Sequence, residues 1–265
     1  MIVSIAQTKD RPASCGIAVM AKASIPGKTK TRLVPPLTFE EAASFNTAFL
    51  RDVAANIAAA GREMPIGCYM AFGPPGSNAF FESTLPPSVG LIESWHPNFG
   101  DCLFVAIDRV LARGHHSAVV LNSDSPTLPT ALLIETARLL AAPGDRGVLG
   151  PSADGGYYLL GIKARHHRLF EEVAWSTEHV ARQTLERAAE IGLDMHVLPE
   201  WYDVDDVESL RMLRAEIVER RSFSPRLRPN PAVNSAELFA ALLRRTDLAR
   251  RLDGAPDSSI KRAAG

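Results

Sequence analysis

The segment AVVLNSDSPTLP, residues 118–129, constrains the fold most, because an apolar stretch runs directly into an acidic turn. Val119, Val120 and Leu121 in succession are typical of a strand that is buried on both faces of a parallel sheet. Asp124 follows this strand closely, and prolines then turn the chain into the helical pattern ALLIETARLLAA. We therefore expect Asp124 at the carboxyl end of a strand, the edge at which open α/β sheets bind ligands.

Asp124 has two interpretations at this position. A carboxylate fixed at the ligand edge of a sheet suits a divalent cation that bridges the phosphates of a nucleotide. The same carboxylate could instead only cap the turn or the helix that follows it. This segment by itself leaves both interpretations open.

Composition narrows the class of protein. The 265 residues suffice for one large α/β domain, or for one domain with an appendage. The formal net charge is -1, so there is no electrostatic reason to expect nucleic-acid or membrane binding. No apolar run is long enough to span a bilayer. The three cysteines lack metal-ligand spacing and the first residues lack the layout of a secretion signal, so we expect a cytoplasmic protein.

Predicted strands and helices alternate along the chain. Strands are expected at residues 16–22, 66–72, 89–92, 117–121, 147–151, 157–163 and 194–198. Helices are expected at residues 39–60, 101–113, 131–142, 178–191 and 206–221. The strands at 147–151 and 157–163 are joined by a D-G-G turn, a strong signal for a hairpin. This alternation predicts a mostly parallel sheet covered by helices on both faces.

The composition changes after the last of these helices. The stretch SFSPRLRPNP, residues 222–231, has three prolines and two arginines, which disfavour regular structure. One more amphipathic helix is expected at 236–252, and the last dozen residues are expected to be disordered. We therefore assign residues 1–221 to a nucleotide-binding domain. Residues 222–265 are assigned to a linker and helical tail with a role in packing or oligomer contact.

A basic loop follows the first predicted strand. Four basic residues fall within eleven positions of one another: Lys22, Lys28, Lys30 and Arg32. At the ligand edge of a sheet, such residues would donate hydrogen bonds to a di- or triphosphate. The spacing of a Walker A loop is absent, which disfavours a P-loop ATPase or kinase. The alternative is a basic loop that is only exposed to solvent.

Two further acidic motifs occur later in the chain. In GPSADGGYYLL, Asp154 stands beside Gly155 and Gly156, where it could accept hydrogen bonds from sugar or ribose hydroxyls. In WYDVDDVESL, Asp203 and Asp205 alternate along an extended segment and so point the same way. Like charges on one face repel unless a cation lies between them, which favours metal binding. The next acid, Asp206, is better placed to cap the following helix.

Taken in order, these motifs resemble the DUF2064 group of glycosyltransferase-A-like proteins, which are relatives of the molybdenum-cofactor and 2-phospholactate nucleotidyltransferases. The resemblance rests on KASIPGKTKTRL, DSP, GPSADGGYYL, WST and DVDD, and it covers about residues 16–215. It implies a three-layer, Rossmann-like nucleotide-diphospho-sugar transferase (GT-A) fold with a mostly parallel mixed sheet. It also implies Mg²⁺, or Mn²⁺, as cofactor.

The resemblance assigns roles to named residues. The metal would be held by Asp124, Asp203 and Asp205. The nucleotide and its phosphates would be bound by Lys22, Lys28, Arg32, Gly100 and Asp101. The second substrate would be met by Ser152, Asp154, Gly155, Gly156, Trp175, Ser176 and Thr177. Catalysis would rest on Asp124, Asp154 and Lys28.

Three functions remain open at this stage. The first is transfer of a sugar from a nucleoside-diphosphate sugar to a small acceptor. The second is nucleotidyl transfer, in which a phosphorylated substrate attacks a nucleoside triphosphate and expels pyrophosphate. The third is a non-catalytic nucleotide-binding module, because NFGDCLF keeps Gly100 and Asp101 but lacks the second Gly and the Arg of the family segment G-D-L-G-x-R. The expected partners are therefore a nucleotide or nucleotide sugar and a small-molecule acceptor, with a homodimer left open.

Overall fold

The structure is a computed structural model that describes residues 14–254. The expectations about a secretion signal and about a disordered end lie outside the described residues. Within them, no helix is long and apolar enough to cross a membrane.

The strands form one sheet at the centre of the molecule. They are β1 (Cys15–Ala21), β2 (Ile66–Phe72), β3 (Gly90–Glu93), β4 (Ser117–Asn122), β5 (Gly147–Pro151), β6 (Tyr157–Ile162) and β7 (Met195–Val197). Their order is β3-β2-β1-β4-β6-β5-β7. Strand β6 runs antiparallel to both of its neighbours, and the other described pairings are parallel. The predicted mostly parallel mixed sheet is confirmed.

Helices occupy the connections between the strands. They are α1 (Phe39–Ala60), α2 (Asn78–Thr84), α3 (Phe99–Ala112), α4 (Thr130–Ala141), α5 (Val180–Glu190), α6 (Val207–Ile217), α7 (Val233–Arg245) and α8 (Leu248–Asp253). Sequence analysis missed the short α2. The single helix predicted at 236–252 is wrong, because the chain extends at Thr246 and the Thr246 hydroxyl accepts from the Leu248 N–H to begin a new helix.

Two apolar layers cover the sheet, one on each face. In β1, Ile17 and Val19 face one layer and Ala18 faces the other, as the alternation of a strand requires. The first layer contains apolar residues of α1, α4, α6, α7 and α8, and the second contains those of α3 and α5. The three-layer architecture predicted for the chain is therefore confirmed.

The helices after the proline-rich stretch pack on α1. The Phe239 ring is fully buried and meets the Phe45 ring edge-on at 5.2 Å. Asp52 on α1 is also buried, and its two oxygens accept four hydrogen bonds from Asn234 and Ser235 at 2.6–2.8 Å. A buried carboxylate requires such partners, so α7 is held on α1 by polar as well as apolar contacts.

Candidate functional site

A cleft of about 500 Å³ opens at the carboxyl edge of β1, β2 and β4. Its walls combine the basic loop, the acidic end of β4 and exposed aromatic rings. Its lining includes Lys22, Lys28, Lys30, Arg32, Trp95, Phe99, Asn122, Asp124 and Asp205. The basic loop and Asp124, each expected at the ligand edge of the sheet, both line this cleft.

The basic loop has a fixed conformation because buried polar groups close it. The Thr29 hydroxyl is buried, donates to the Ala23 carbonyl at 2.9 Å and accepts from the Ile25 N–H at 3.2 Å. From α1, the Asn46 amide donates to the Lys22 carbonyl at 3.0 Å. These bonds fix the backbone from which the basic side chains of the loop extend.

Lys30 lies at the centre of the site rather than on its surface. Its ammonium is 2.8 Å from Asp124 Oδ1 and 2.8 Å from Asp205 Oδ1, and it donates to the Val204 carbonyl at 2.9 Å. Only 6% of this side chain is exposed. Burial alone would lower the pKa of Lys30, but the charges of Asp124 and Asp205 outweigh burial and raise that pKa above its ordinary value.

Backbone pairing brings the late acidic motif to the end of β4. The Val204 N–H donates to the Asp124 carbonyl at 2.8 Å, and the Ser125 hydroxyl donates to the Tyr202 carbonyl at 2.8 Å. Asp205 then meets Lys30 and the Arg32 guanidinium. Burial raises the pKa of Asp205, but these cations outweigh it and leave the pKa below its ordinary value.

The predicted helix cap is also present at this point. The Asp206 carboxylate accepts from the Ser209 N–H at 2.9 Å at the start of α6. Asp206 thus serves as the N-cap of α6, and the two other acids of the motif, Asp203 and Asp205, are the candidates for the functional site.

Asp203 and Asp154 lie together beside the cleft. The Ala153 N–H donates to the Trp201 carbonyl at 2.9 Å, which aligns the hairpin of Asp154 with the segment of Asp203. Burial, and then the charges of Asp154, Asp205 and Asp124, raise the pKa of Asp203 to about 7. Within residues 14–254, the Asp203 carboxylate has no hydrogen-bond or ion-pair partner.

The three acids predicted to bind metal therefore lie near one another, but they differ in their contacts. Asp124 and Asp205 contact the Lys30 ammonium directly, whereas Asp203 makes no ion pair with any residue of the range 14–254. In the part of the chain that the structure describes, no group of three or more His, Cys, Asp or Glu side chains is arranged as a metal site.

Gly100 and Asp101 do not line the cleft, although Phe99 and Cys102 on either side of them do. A Cβ at Gly100 would lie 2.7 Å from the Phe170 carbonyl oxygen, so glycine there permits close packing. The Asp101 carboxylate lies 3.0 Å from His96 Nδ1 and 3.8 Å from His167 Nε2. Phe99 and Cys102, rather than the two residues between them, therefore line the cleft at the start of α3.

The residues predicted to meet the second substrate lie on the turn between β5 and β6 and in the segment before α5, outside the lining of the cleft, although the Trp175 ring meets the cleft's Phe99 ring edge-on at 5.5 Å. Ser152 is buried, while Asp154, Ser176 and Thr177 are exposed and Trp175 is half-buried. The Gly156 N–H donates to Asp154 Oδ1 at 2.9 Å within the turn between β5 and β6, which confirms the predicted hairpin.

Gly155 explains why this turn needs glycine. It has a φ of +89°, and a Cβ there would lie 2.3 Å from the Glu178 carbonyl oxygen. The backbone just before α5 therefore approaches this turn too closely for any side chain at Gly155.

Sequence analysis missed the special place of Lys30 and the two aromatic rings. The Trp95 and Phe99 rings are 54% and 50% exposed, although both line the cleft. Lys30 is one of four basic residues in its loop, and the local sequence does not single it out. An aromatic residue after β3 and another at the start of α3 could have been found by asking which residues follow the parallel strands.

Comparison with known proteins agrees with the motifs and the fold. The family model described as "Uncharacterized protein conserved in bacteria (DUF2064)" matches residues 56–177. Among solved structures, a candidate nucleotide-diphospho-sugar transferase from Desulfovibrio desulfuricans G20 is 23% identical, with a TM-score of 0.74 over 91% of this chain and 99% of that chain. No curated protein matches the chain significantly.

A second solved structure is more distant in sequence. A cytidylyltransferase from Leptospira borgpetersenii serovar Hardjo-bovis (strain JB197) is 11% identical, with a TM-score of 0.51 over 92% of this chain and 98% of that chain. At such identities the likeness concerns the fold. The predicted resemblance is confirmed: this chain matches the DUF2064 family over residues 56–177 and has the nucleotide-diphospho-sugar transferase fold.

Proposed function

We propose that this protein is a transferase that uses a nucleotide-activated donor, and that it passes a sugar from a nucleoside-diphosphate sugar to a small acceptor. One observation carries the proposal. The basic loop and the acidic end of β4 both line one cleft at the carboxyl edge of the sheet. This is where open α/β sheets bind nucleotides, and the cleft's size of about 500 Å³ is in the range of small-molecule sites.

Lys22, Lys28 and Arg32 are the groups available to the donor's phosphates. The Lys22 and Lys28 side chains are exposed and have no hydrogen-bond or ion-pair partner among the described residues. The Arg32 side chain is 70% exposed and holds Asp205 through one of its nitrogens. These cations would stabilise the negative charge that develops on the leaving diphosphate, with Lys28 in the catalytic role.

Trp95 and Phe99 offer a stacking surface for the nucleobase of the donor. Two half-exposed aromatic rings at one cleft form an apolar surface of the kind that ligand-binding grooves present. Stacking of a nucleobase on either ring would cover that surface without requiring a particular base. Asp154 and the exposed Ser176 and Thr177 then remain for the hydroxyls of the second substrate.

The Asp203 carboxylate is a candidate ligand for a divalent cation. Asp203 is repelled by three neighbouring carboxylates, feels the Lys30 charge only at longer range and makes no ion pair within the described residues. Carboxylate oxygens are the ligands that Mg²⁺ and Mn²⁺ prefer. We propose that Asp203 holds this cation, with Asp154, Asp124 and Asp205 contributing negative charge. When bound, the cation would neutralise charge on the donor's phosphates.

Phosphorus NMR of the purified protein with Mg²⁺ and a panel of nucleotide sugars and nucleoside triphosphates tests the reaction. Release of a nucleoside diphosphate together with a glycosylated acceptor supports the proposal. Release of pyrophosphate instead identifies a nucleotidyltransferase, which the same phosphate-binding groups would serve. Tight binding of a nucleotide without turnover of any compound identifies a non-catalytic module.

Lys28→Ala tests the site independently of the reaction. Loss of a charge-assisted hydrogen bond to phosphate should weaken nucleotide binding by about 1.5 to 3 kcal/mol in calorimetry. Arg62→Ala is the matched control, because Arg62 is exposed on the turn after α1, away from the cleft. Equal nucleotide affinities in the two variants would exclude Lys28 from the phosphate site.

A further inference from the structure

Three oxygens form a cage around the ammonium of Lys30. Its ammonium contacts one oxygen each of Asp124, Asp205 and the Val204 carbonyl, at 2.8, 2.8 and 2.9 Å. An ammonium has three N–H donors, and all three are used by these oxygens. Lys30 therefore has no donor left for a phosphate in this arrangement, unlike Lys22 and Lys28 in the same loop.

The same three oxygens form a set that a divalent cation would accept. Two carboxylates and a backbone carbonyl are typical ligands of Mg²⁺ and Mn²⁺. The cage is also shielded, because only 6% of the Lys30 side chain is exposed and the Phe49 ring lies 5.6 Å from the ammonium. An ammonium and a metal ion cannot share this space.

We propose that Lys30 is a built-in cation that excludes divalent metal ions from Asp124 and Asp205 in the nucleotide-free protein, leaving Asp203 as the open acid. The inference deepens the proposed function, on which it rests for the use of a divalent cation. It assigns Lys30 a positioning role: it holds the end of β4 and the late acidic segment together and decides which carboxylates meet the metal.

If Lys30 excludes the metal, its removal should strengthen Mn²⁺ binding, whereas removal of a metal ligand would weaken it. Lys30→Met keeps an unbranched side chain but removes the ammonium, so two carboxylates and a carbonyl are left facing each other without a cation. We expect this variant to bind Mn²⁺ at least tenfold more tightly than the wild-type protein in the absence of nucleotide. Lys28→Met is the matched control, since it makes the same change of charge at an exposed lysine of the same loop. We expect the control to change Mn²⁺ affinity by less than about threefold, because the loss of one exposed charge acts on the metal only at long range and is screened by salt.

Titration of Mn²⁺ followed by electron paramagnetic resonance, with no nucleotide present, measures both variants. Tighter binding by Lys30→Met than by Lys28→Met supports the proposal. Equal or weaker binding by a Lys30→Met protein that melts cooperatively overturns it. Thermal melting supplies a second readout, because Mn²⁺ should raise the melting temperature of Lys30→Met more than that of the control.

Asp124→Asn decides the question if Lys30→Met does not fold even with Mn²⁺. If Lys30 already excludes the metal from Asp124, this substitution should leave Mn²⁺ affinity within about threefold of the wild-type value. A tenfold loss would show that Asp124 is a ligand in the free protein and would overturn the proposal. Neither titration uses a nucleotide or measures turnover, so its failure is distinguishable from failure of the proposed transferase activity.

Discussion

Asp203 should destabilise the metal-free protein, and Asp203→Asn should therefore stabilise it. Burial and the charges of Asp154, Asp205 and Asp124 raise the pKa of Asp203 from its ordinary 3.8 to about 7 in the native state. The native state then holds a proton that the unfolded state releases between about pH 4 and pH 7. Stability contributed by this group consequently falls as the pH rises through that window. Asparagine has nearly the same size and carries no charge, so it removes this penalty.

The size of the effect follows from the same pKa difference. About three pH units at about 1.36 kcal/mol each give at most about 4 kcal/mol of destabilisation above pH 7. The difference in the free energy of unfolding between Asp203→Asn and the wild-type protein should be near zero at pH 4. It should then grow up to pH 7 and remain constant at higher pH.

Urea unfolding at several pH values with EDTA present measures this difference. A second series with Mg²⁺ should shrink it, because a cation bound at Asp203 stabilises the ionised carboxylate of the wild-type protein alone. An Asp203→Asn protein that is no more stable than wild type at pH 8 with EDTA would refute the reasoning. A gain in stability that is the same at pH 4 and pH 8 would refute its electrostatic cause.

Three other substitutions test separate parts of the structure. Asp52→Asn should lower the free energy of unfolding by about 2 to 4 kcal/mol in urea, since one oxygen that accepts two hydrogen bonds becomes an amide that cannot accept them. Trp95→Ala should weaken nucleotide binding about tenfold in calorimetry without lowering the melting temperature, because it removes a stacking surface worth about 1 to 3 kcal/mol. Gly155→Ala should cost more stability in thermal melting than Gly192→Ala. Both positions have positive φ, but only at the former would a Cβ meet the Glu178 backbone, at 2.3 Å.

The sequence determined the elements of the fold and the edge that carries the site. The run of Val119, Val120 and Leu121 predicted a buried strand, and β4 confirms it together with the position of Asp124 at its carboxyl end. The D-G-G turn predicted the hairpin of β5 and β6, and Asp206 predicted the helix cap. Each of these features depends on residues within a few positions of one another. Patterns of burial, turn residues and caps can therefore specify them locally.

The tertiary structure alone decided which charged groups meet. The basic loop has several cationic residues with similar neighbours in the sequence, yet only Lys30 enters the cage. Its partners Val204 and Asp205 lie more than 170 positions later in the chain. Backbone pairing with the end of β4 brings them to Lys30. The approach of Asp154 to Asp203 likewise follows from backbone bonds made at Trp201. Such contacts depend on which distant segments pair in the folded sheet and not on residues that are neighbours in the sequence. Their energies also depend on burial that exists only in the folded chain, so the partners of these charges could not be predicted from the sequence.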